Sequence, residues 1–116
     1  MQERRQNVRV RPTADYAIRI DLGGGIVKTQ LMLIDAAVGG VALIIDEQFA
    51  HLGAGSDLRL GVTLPGVPRF ETVAVIRHTQ GRAGGRCGVH FDRLTGDQQR
   101  ALSRAVSELL ERGSSA

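Results

Sequence analysis

Aromatic residues, tryptophan and cysteine are what this sequence of 116 residues has least of. Only 3% of the chain is aromatic and tryptophan is absent, so an aliphatic core has to carry the fold. Cys87 is the single cysteine, which excludes a disulfide within the chain and a zinc site built from cysteines. Because 42% of the residues are hydrophobic and 23% are charged, the composition is that of one globular domain and not of a disordered chain.

The sequence also lacks the apolar runs that target a chain to a membrane or to secretion. Residues 1–12 contain no apolar stretch of the kind that forms a signal peptide. The most apolar region, 26–45, is interrupted by Lys28, Gln30 and Asp35, whereas a membrane helix needs about 18 or more uninterrupted apolar residues. We therefore expect a soluble, cytoplasmic domain.

Positive charge is concentrated at the start of the chain. The first eleven residues hold four arginines and one glutamate, whereas basic and acidic residues balance in the remainder, so this arm carries the net charge of +3. A basic arm on a neutral body favours a small or local anionic partner over a long polyanion. Lys28 is the only lysine among the 15 basic residues, and arginine is the side chain that suits bidentate contacts to phosphate and guanine.

Alternating apolar residues and glycine-rich turns predict about six short strands. These predicted strands cover residues 16–22, 26–34, 40–45, 58–64, 70–76 and 87–91. The glycine run 23–25 is followed by a strand and not by a helix, so it indicates a hairpin turn instead of a phosphate-binding loop. Strands at this spacing predict a mainly β fold, a closed or nearly closed six-stranded antiparallel β-barrel.

A C-terminal helix should follow the barrel. Thr95 and Gln98 fit a capping box, and Gly113 is suited to end the helix. Between them an apolar stripe recurs at helical spacing, made of Leu102, Ala105, Val106, Leu109 and Leu110. We expect the stripe to pack on the barrel or on a partner. The predicted organisation is a flexible arginine-rich arm over 1–12, followed by the barrel and helix over 13–112.

Two segments carry the residues best suited to bind a ligand. Arg5 and Arg9 are four residues apart in an extended segment, so their side chains point the same way and can converge on one anion. Asp35 is expected on a turn, and Gly40 follows it where glycine permits a close approach of the backbone and a positive φ. Guanidinium groups bind phosphate and the guanine edge, and a carboxylate accepts from guanine N–H groups. The set is therefore complementary to a guanine nucleotide.

In these motifs the sequence resembles the PilZ domain, a bacterial receptor module for cyclic di-GMP. The family pattern is RxxxR, which Arg5 and Arg9 match, followed by D/N-x-S-x-x-G, which Asp35 and Gly40 match. The resemblance covers nearly the whole chain and implies a PilZ-like split barrel with a C-terminal helix. It also implies a receptor that changes conformation on binding cyclic di-GMP and signals to a protein partner. The ligand-binding residues it implies are Arg4, Arg5, Arg9, Asp35, Ala37 and Gly40.

Position 37 departs from the pattern, because Ala37 stands where the family has serine. Losing one neutral hydrogen bond costs about 0.5–1.5 kcal/mol, or roughly a two- to tenfold loss of affinity. Charge-assisted contacts are about twice as strong, so we expect binding that is weakened and not abolished. Arg4, just before the first motif, implies by the same resemblance an intercalated pair of nucleotides.

The charge of the arm predicts an order transition, in which ligand binding neutralises the arm and folds it over the barrel rim. Ala37 motivates an alternative, a degenerate PilZ module that acts as a protein-interaction domain without nucleotide. A nucleic-acid-binding barrel is disfavoured because the few aromatic residues are not grouped on one strand.

No pattern in the sequence indicates an enzyme. A nucleophile with a base, a pair of catalytic carboxylates and a cluster of metal ligands are all missing, so we expect no catalysis, no metal and no cofactor. The histidines His51, His78 and His90 are scattered along the chain, and we expect them to be surface or packed residues.

Overall fold

A computed structural model of the chain describes residues 8–25 and 28–115. Within these ranges the chain forms seven β-strands, one short 3-10 helix at Glu47–Phe49 and one α-helix, α1, at Gly96–Glu111. The strands are β1 (Arg19–Leu22), β2 (Thr29–Leu31), β3 (Leu33–Ala37), β4 (Gly40–Ile44), β5 (Asp57–Leu64), β6 (Val67–Thr79) and β7 (Arg86–Phe91).

The strands form a single antiparallel sheet in the order β2-β1-β5-β6-β7-β4-β3. Its two edges, β2 and β3, are consecutive in the chain and are separated only by Met32, whose side chain is exposed. The chain thus passes from one edge of the sheet to the other, which brings the sheet nearly to closure as a barrel. The mainly β barrel with a C-terminal helix is confirmed.

The strand count differs because the second predicted strand, 26–34, is divided at Met32. On one side of this residue β2 pairs with β1, and on the other side β3 pairs with β4. The Met32 carbonyl oxygen accepts a hydrogen bond from the N–H of Ile44 on β4 at 2.9 Å, so the change of partner occurs at this residue. One extended segment therefore counts as two strands, and six predicted strands become seven.

The core is aliphatic, as the composition requires. Alternate residues of β5 and β7 point inward, and each fully buried large side chain contributes roughly 1.5–3 kcal/mol relative to exposure. Four residues of the predicted helical stripe are buried against the barrel: Leu102, Ala105, Val106 and Leu109. Leu110 differs, since it is 39% exposed at the margin of the stripe. In the described part of the chain, no helix combines the length and the apolar character needed to cross a membrane.

The helix begins and ends where the sequence predicts. Thr95 Oγ1 accepts from the Gln98 N–H at 3.2 Å, and the Gln98 side chain accepts from the Thr95 N–H at 3.0 Å, which completes the capping box. Gly113 has a φ of +79°. With it, the Ser114 N–H donates to the Leu109 carbonyl at 3.0 Å, so the helix ends in a Schellman motif.

The segment before β1 lies against the edge of β3. Val10 is completely buried, and its N–H and carbonyl both bond to Ala36 at 2.8 Å. The next residue, Arg11, donates its N–H to the Ser114 carbonyl at 2.9 Å. The segment therefore runs between β3 and the residues that follow α1, and this course places Arg9 beside β3.

Candidate functional site

A cavity of about 220 Å³ lies on the outer face of the barrel, over β4, β6 and β7. It brings together Arg9, Ala37 and Gly40, which the sequence assigns to the ligand site. The complete lining is Arg9, Ala37, Gly39, Gly40, Val41, Arg77, His78, Gly88, Val89 and His90. The cavity therefore collects residues of both predicted motifs, together with residues of two strands that the motifs do not include.

Sheet register places small residues, here called the floor, between Asp35, which lies beside the cavity, and His78, which lines it. Asp35 on β3 pairs with Ala42 on β4, Ala42 pairs with Gly88 on β7, and Gly88 pairs with His78 on β6. We call these four paired residues the Asp35 row. Adjacent strands are about 4.8 Å apart, so roughly 14 Å separates Asp35 from His78, measured across the strands. The centre of the row carries one methyl group and one hydrogen atom, which leaves room for a flat group on the backbone.

A second row of paired residues lies beside the first. Ala37 pairs with Gly40, and Gly40 pairs with His90 on β7. In this Ala37 row the small residues come from β3 and β4, whereas those of the Asp35 row come from β4 and β7. Each row ends in a histidine on the side away from Arg9. Both rows therefore run from the edge that holds Arg9 to a histidine.

Gly40 is needed for a close approach between strands, not for its backbone conformation. The glycines with positive φ in the described chain do not include Gly40, so the positive φ that glycine permits is not used at this position. A Cβ atom on Gly40 would overlap the carbonyl oxygen of Val89 on β7, which no adjustment of a flexible side chain can relieve. A Cβ on Gly88 would meet only the His78 side chain, at 3.7 Å, an ordinary contact.

The two motifs meet in an ion pair between Arg9 and Asp35. Arg9 Nε donates to Asp35 Oδ1, and the Asp35 side chain is 12% exposed whereas that of Arg9 is 39% exposed. Asp35 lies within β3 and not on a turn, which corrects the sequence expectation; the turn follows at residues 38–39. Pairing compensates the nearly buried carboxylate and holds Arg9 at the cavity.

The other predicted arginines, Arg4 and Arg5, lie outside the described residues. Their convergence with Arg9 therefore stays a prediction. Arg9 donates to Asp35 through Nε, and a guanidinium group carries further N–H donors with which it can bind an anion.

Sequence reasoning missed Arg77, His78 and His90, which line the cavity. Both histidines were expected to be ordinary surface or packed residues, and both are exposed at this site. The alternation of β7 places His90 on the polar face, but only the pairing of β7 with β4 shows that this face is the one that holds Gly40. The sequence therefore indicates that His90 is on the polar face, but it does not show the strand order that places this face at the cavity.

A second cavity of about 350 Å³ adjoins the first and shares Arg9, His78 and Gly88 with it. It adds Arg86 and Cys87, and burial raises the pKa of the Cys87 thiol, which keeps this side chain protonated and apolar. No carboxylate is among the described residues that line either cavity, so the surface is suited to an anion. The described ranges also contain no group of three or more side chains that could hold a metal ion.

The sequence matches the family model described as "PilZ domain" over residues 3–108. No curated protein matches the chain. Among solved structures, the PilZ domain of YcgR from Escherichia coli, determined with c-di-GMP, gives a TM-score of 0.66 at 14% identity. This likeness covers 94% of the chain and 94% of the YcgR domain.

Two longer proteins share the fold. MrkH of K. pneumonia, in complex with c-di-GMP, gives a TM-score of 0.70 at 16% identity over 90% of this chain and 52% of its own. The Bacillus subtilis inhibitor of motility, MotI/DgrA, gives 0.64 at 19% identity over 91% of this chain and 49% of its own. The chain therefore spans about half the length of these two proteins.

The contact between Gly40 and Val89 predicts unequal effects of two glycine substitutions. We expect Gly40→Ala to lower the free energy of unfolding by about 1–3 kcal/mol, because the added methyl forces β4 away from β7. Gly88→Ala should stay within about 1 kcal/mol of the parent. Urea unfolding measures both effects, and Gly53→Ala, where a Cβ meets nothing within 4 Å, is the control. Equal stability of Gly40→Ala and Gly53→Ala would contradict the contact.

Proposed function

The chain belongs to the PilZ domain family, and we propose that it is a receptor for cyclic di-GMP. The ion pair between Arg9 and Asp35 carries this proposal, because it joins the RxxxR segment to the D-x-A-x-x-G segment at one cavity. The ligand is supported by the structures of the YcgR domain and MrkH with c-di-GMP, which share this fold. We propose a binding role and no catalysis.

The chemistry of the site suits each part of the nucleotide. Arg9 is placed to bind a phosphate or the guanine edge through the donors that Asp35 leaves open. The Asp35 carboxylate has acceptor capacity for a guanine N–H besides its bond from Arg9. Between them, the small side chains of Gly40, Ala42 and Gly88 allow a planar base to lie close to the backbone.

We propose that Arg4 and Arg5 complete the phosphate contacts and that the ligand is an intercalated pair of nucleotides. The second cavity supports this stoichiometry, since it extends the basic surface from Arg9 and His78 toward Arg86. A single guanidinium cannot balance the phosphates of two dinucleotides, so a cluster of arginines is required.

Ligand binding is proposed to place the arm over the floor and to change a neighbouring surface. Val8 of the first motif and Val38 of the second line a groove of about 340 Å³ with Val106 and Leu110 of α1. Both motifs thus border the nucleotide site on one side and this apolar groove on the other. A shift of either motif changes the groove, and we propose that a protein partner responds to that change.

Calorimetric titration with cyclic di-GMP tests the receptor function. We expect saturation at two nucleotides per chain, and we expect Arg5→Ala and Arg9→Ala each to weaken binding roughly 10- to 100-fold through loss of charge-assisted contacts. Arg104→Ala, on the exposed face of α1, is the matched control and should bind like the parent. Saturation at one nucleotide per chain would refute the proposal that an intercalated pair of nucleotides is bound. If the folded parent chain fails to bind, the degenerate interaction module is the correct alternative.

Restoring the family serine should strengthen binding. We expect Ala37→Ser to raise affinity roughly two- to tenfold, because the hydroxyl adds one hydrogen bond beside Gly40. The same titration measures the effect, with Ala101→Ser on α1 as the control for adding a hydroxyl elsewhere. An affinity unchanged by Ala37→Ser would show that position 37 does not contact the ligand.

Amide hydrogen exchange tests the proposed action on the arm. On adding cyclic di-GMP we expect slower exchange in residues 2–9, where the ligand holds the backbone. The amides of Val10 and Ala36 already donate to each other's carbonyls and should change little, so they provide the internal reference. Identical exchange of residues 2–9 with and without ligand would argue against the transition.

A further inference from the structure

Two histidines form the side of the nucleotide cavity that lies opposite Arg9 and Asp35. His78 ends the Asp35 row and His90 ends the Ala37 row, and both side chains are exposed. Among the described residues, no hydrogen bond engages either imidazole ring. Neither histidine lies in the RxxxR segment or in the D-x-A-x-x-G segment, so nothing in the two motifs accounts for a pair of histidines at this place.

We propose that His78 and His90 are ligand-binding residues whose protonation strengthens the binding of the nucleotide, so that affinity rises as the pH falls. This inference rests on the proposed receptor function and adds a pair of residues to it. Histidine is the side chain that ordinarily changes its charge between about pH 5 and 8. Once protonated, an imidazole ring donates two N–H groups, which suit a phosphate oxygen.

The charges around the two histidines favour this coupling. The charged side chains that surround them are Arg9, Arg77, Arg86, Asp35, Asp57 and Asp92. The arginines line the two cavities themselves. The carboxylates lie at the margin of this surface. Asp35 is paired with Arg9, and Asp92 borders a neighbouring cavity. Asp57 lies on β5, two strands away from His90 by register.

Since the carboxylates lie at the margin of this surface, the phosphates of the bound ligand would be the anions nearest to the two imidazole rings. They favour the protonated, cationic form of each ring, so the complex takes up protons more readily than the free protein does. Because linkage is reciprocal, protonation must then tighten the binding of the ligand. The sign follows directly: affinity is highest at the acidic end of the histidine range and falls as the pH rises.

The expected size of the effect is moderate. A unit charge about 5 Å from a phosphate, at a surface with nearly the dielectric constant of water, changes affinity roughly fourfold. Two histidines should therefore give about a tenfold increase in affinity between pH 8 and pH 5.5. Arginine keeps its charge throughout this interval, and the ordinary titration range of carboxylates lies below it.

Titration of the full chain with cyclic di-GMP at several pH values and constant ionic strength tests the inference. The parent should bind about tenfold more tightly at pH 5.5 than at pH 8. His78→Gln and His90→Gln should each remove part of this dependence, and the double variant should bind with nearly the same affinity at every pH. His51→Gln is the matched control, since His51 is exposed but is absent from the lining of both cavities.

Calorimetry in buffers of different ionisation enthalpy gives a second readout, the uptake of protons on binding. We expect uptake by the parent within the ordinary histidine range, between about pH 5 and 8, and none by the double variant. A parent that binds equally well at every pH, or a double variant that keeps the dependence, overturns this inference and leaves the receptor function intact. A parent that binds at no pH overturns the receptor function, and this inference with it.

Discussion

The two backbone hydrogen bonds between Val10 and Ala36 decide whether the halves of the site meet. Each such bond contributes only about 0.5–1.5 kcal/mol, yet the pairing also buries Val10 completely in the core. Arg9 precedes Val10, and Asp35 precedes Ala36, so the same pairing sets the distance at which the guanidinium reaches the carboxylate. A chain whose first motif were tied down elsewhere would keep the barrel and lose the site.

The floor of small residues on the outside of the barrel follows from the way in which the barrel fills its core. Strands β4 and β7 send their large side chains inward, where Val41, Leu43 and Val89 fill the core, and this leaves Gly40, Ala42 and Gly88 on the outside. The alternation of large inward and small outward side chains on β4 and β7 therefore produces both the tightly packed core and the open floor. Basic side chains surround the floor, whereas Asp35, whose own side chain is nearly buried, is neutralised by Arg9.

Much of the architecture follows from local pattern. Alternation of apolar residues and the capping box around Thr95 are properties of a few neighbouring residues, and the strands and the helix form at or near the places that those patterns predict. The bounds differ, since β1 begins only at Arg19 and β6 extends over Val67–Thr79. The division of one predicted strand at Met32 could not be predicted, because the local alternation of apolar residues does not show where a strand changes its pairing partner. The same limit applies to the site: the motifs indicate Arg9 and Asp35, whereas His78 and His90 come to it only through the order in which β4, β7 and β6 pair. The glycines that follow Asp35 so closely predict a turn at position 35, but the turn needs only residues 38–39.

The hydrogen bond from Arg11 to Ser114 has a consequence for how such a module is built into larger proteins. It brings the backbone just before the barrel and the backbone just after α1 to within 2.9 Å of each other, a few residues from Arg9. The backbone at Arg11 and the backbone at Ser114 therefore lie at the same edge of the module, close to Arg9 of the proposed ligand site. Force exerted by a domain attached through either of these two backbone segments would act beside the proposed ligand site, without having to be transmitted through the barrel wall.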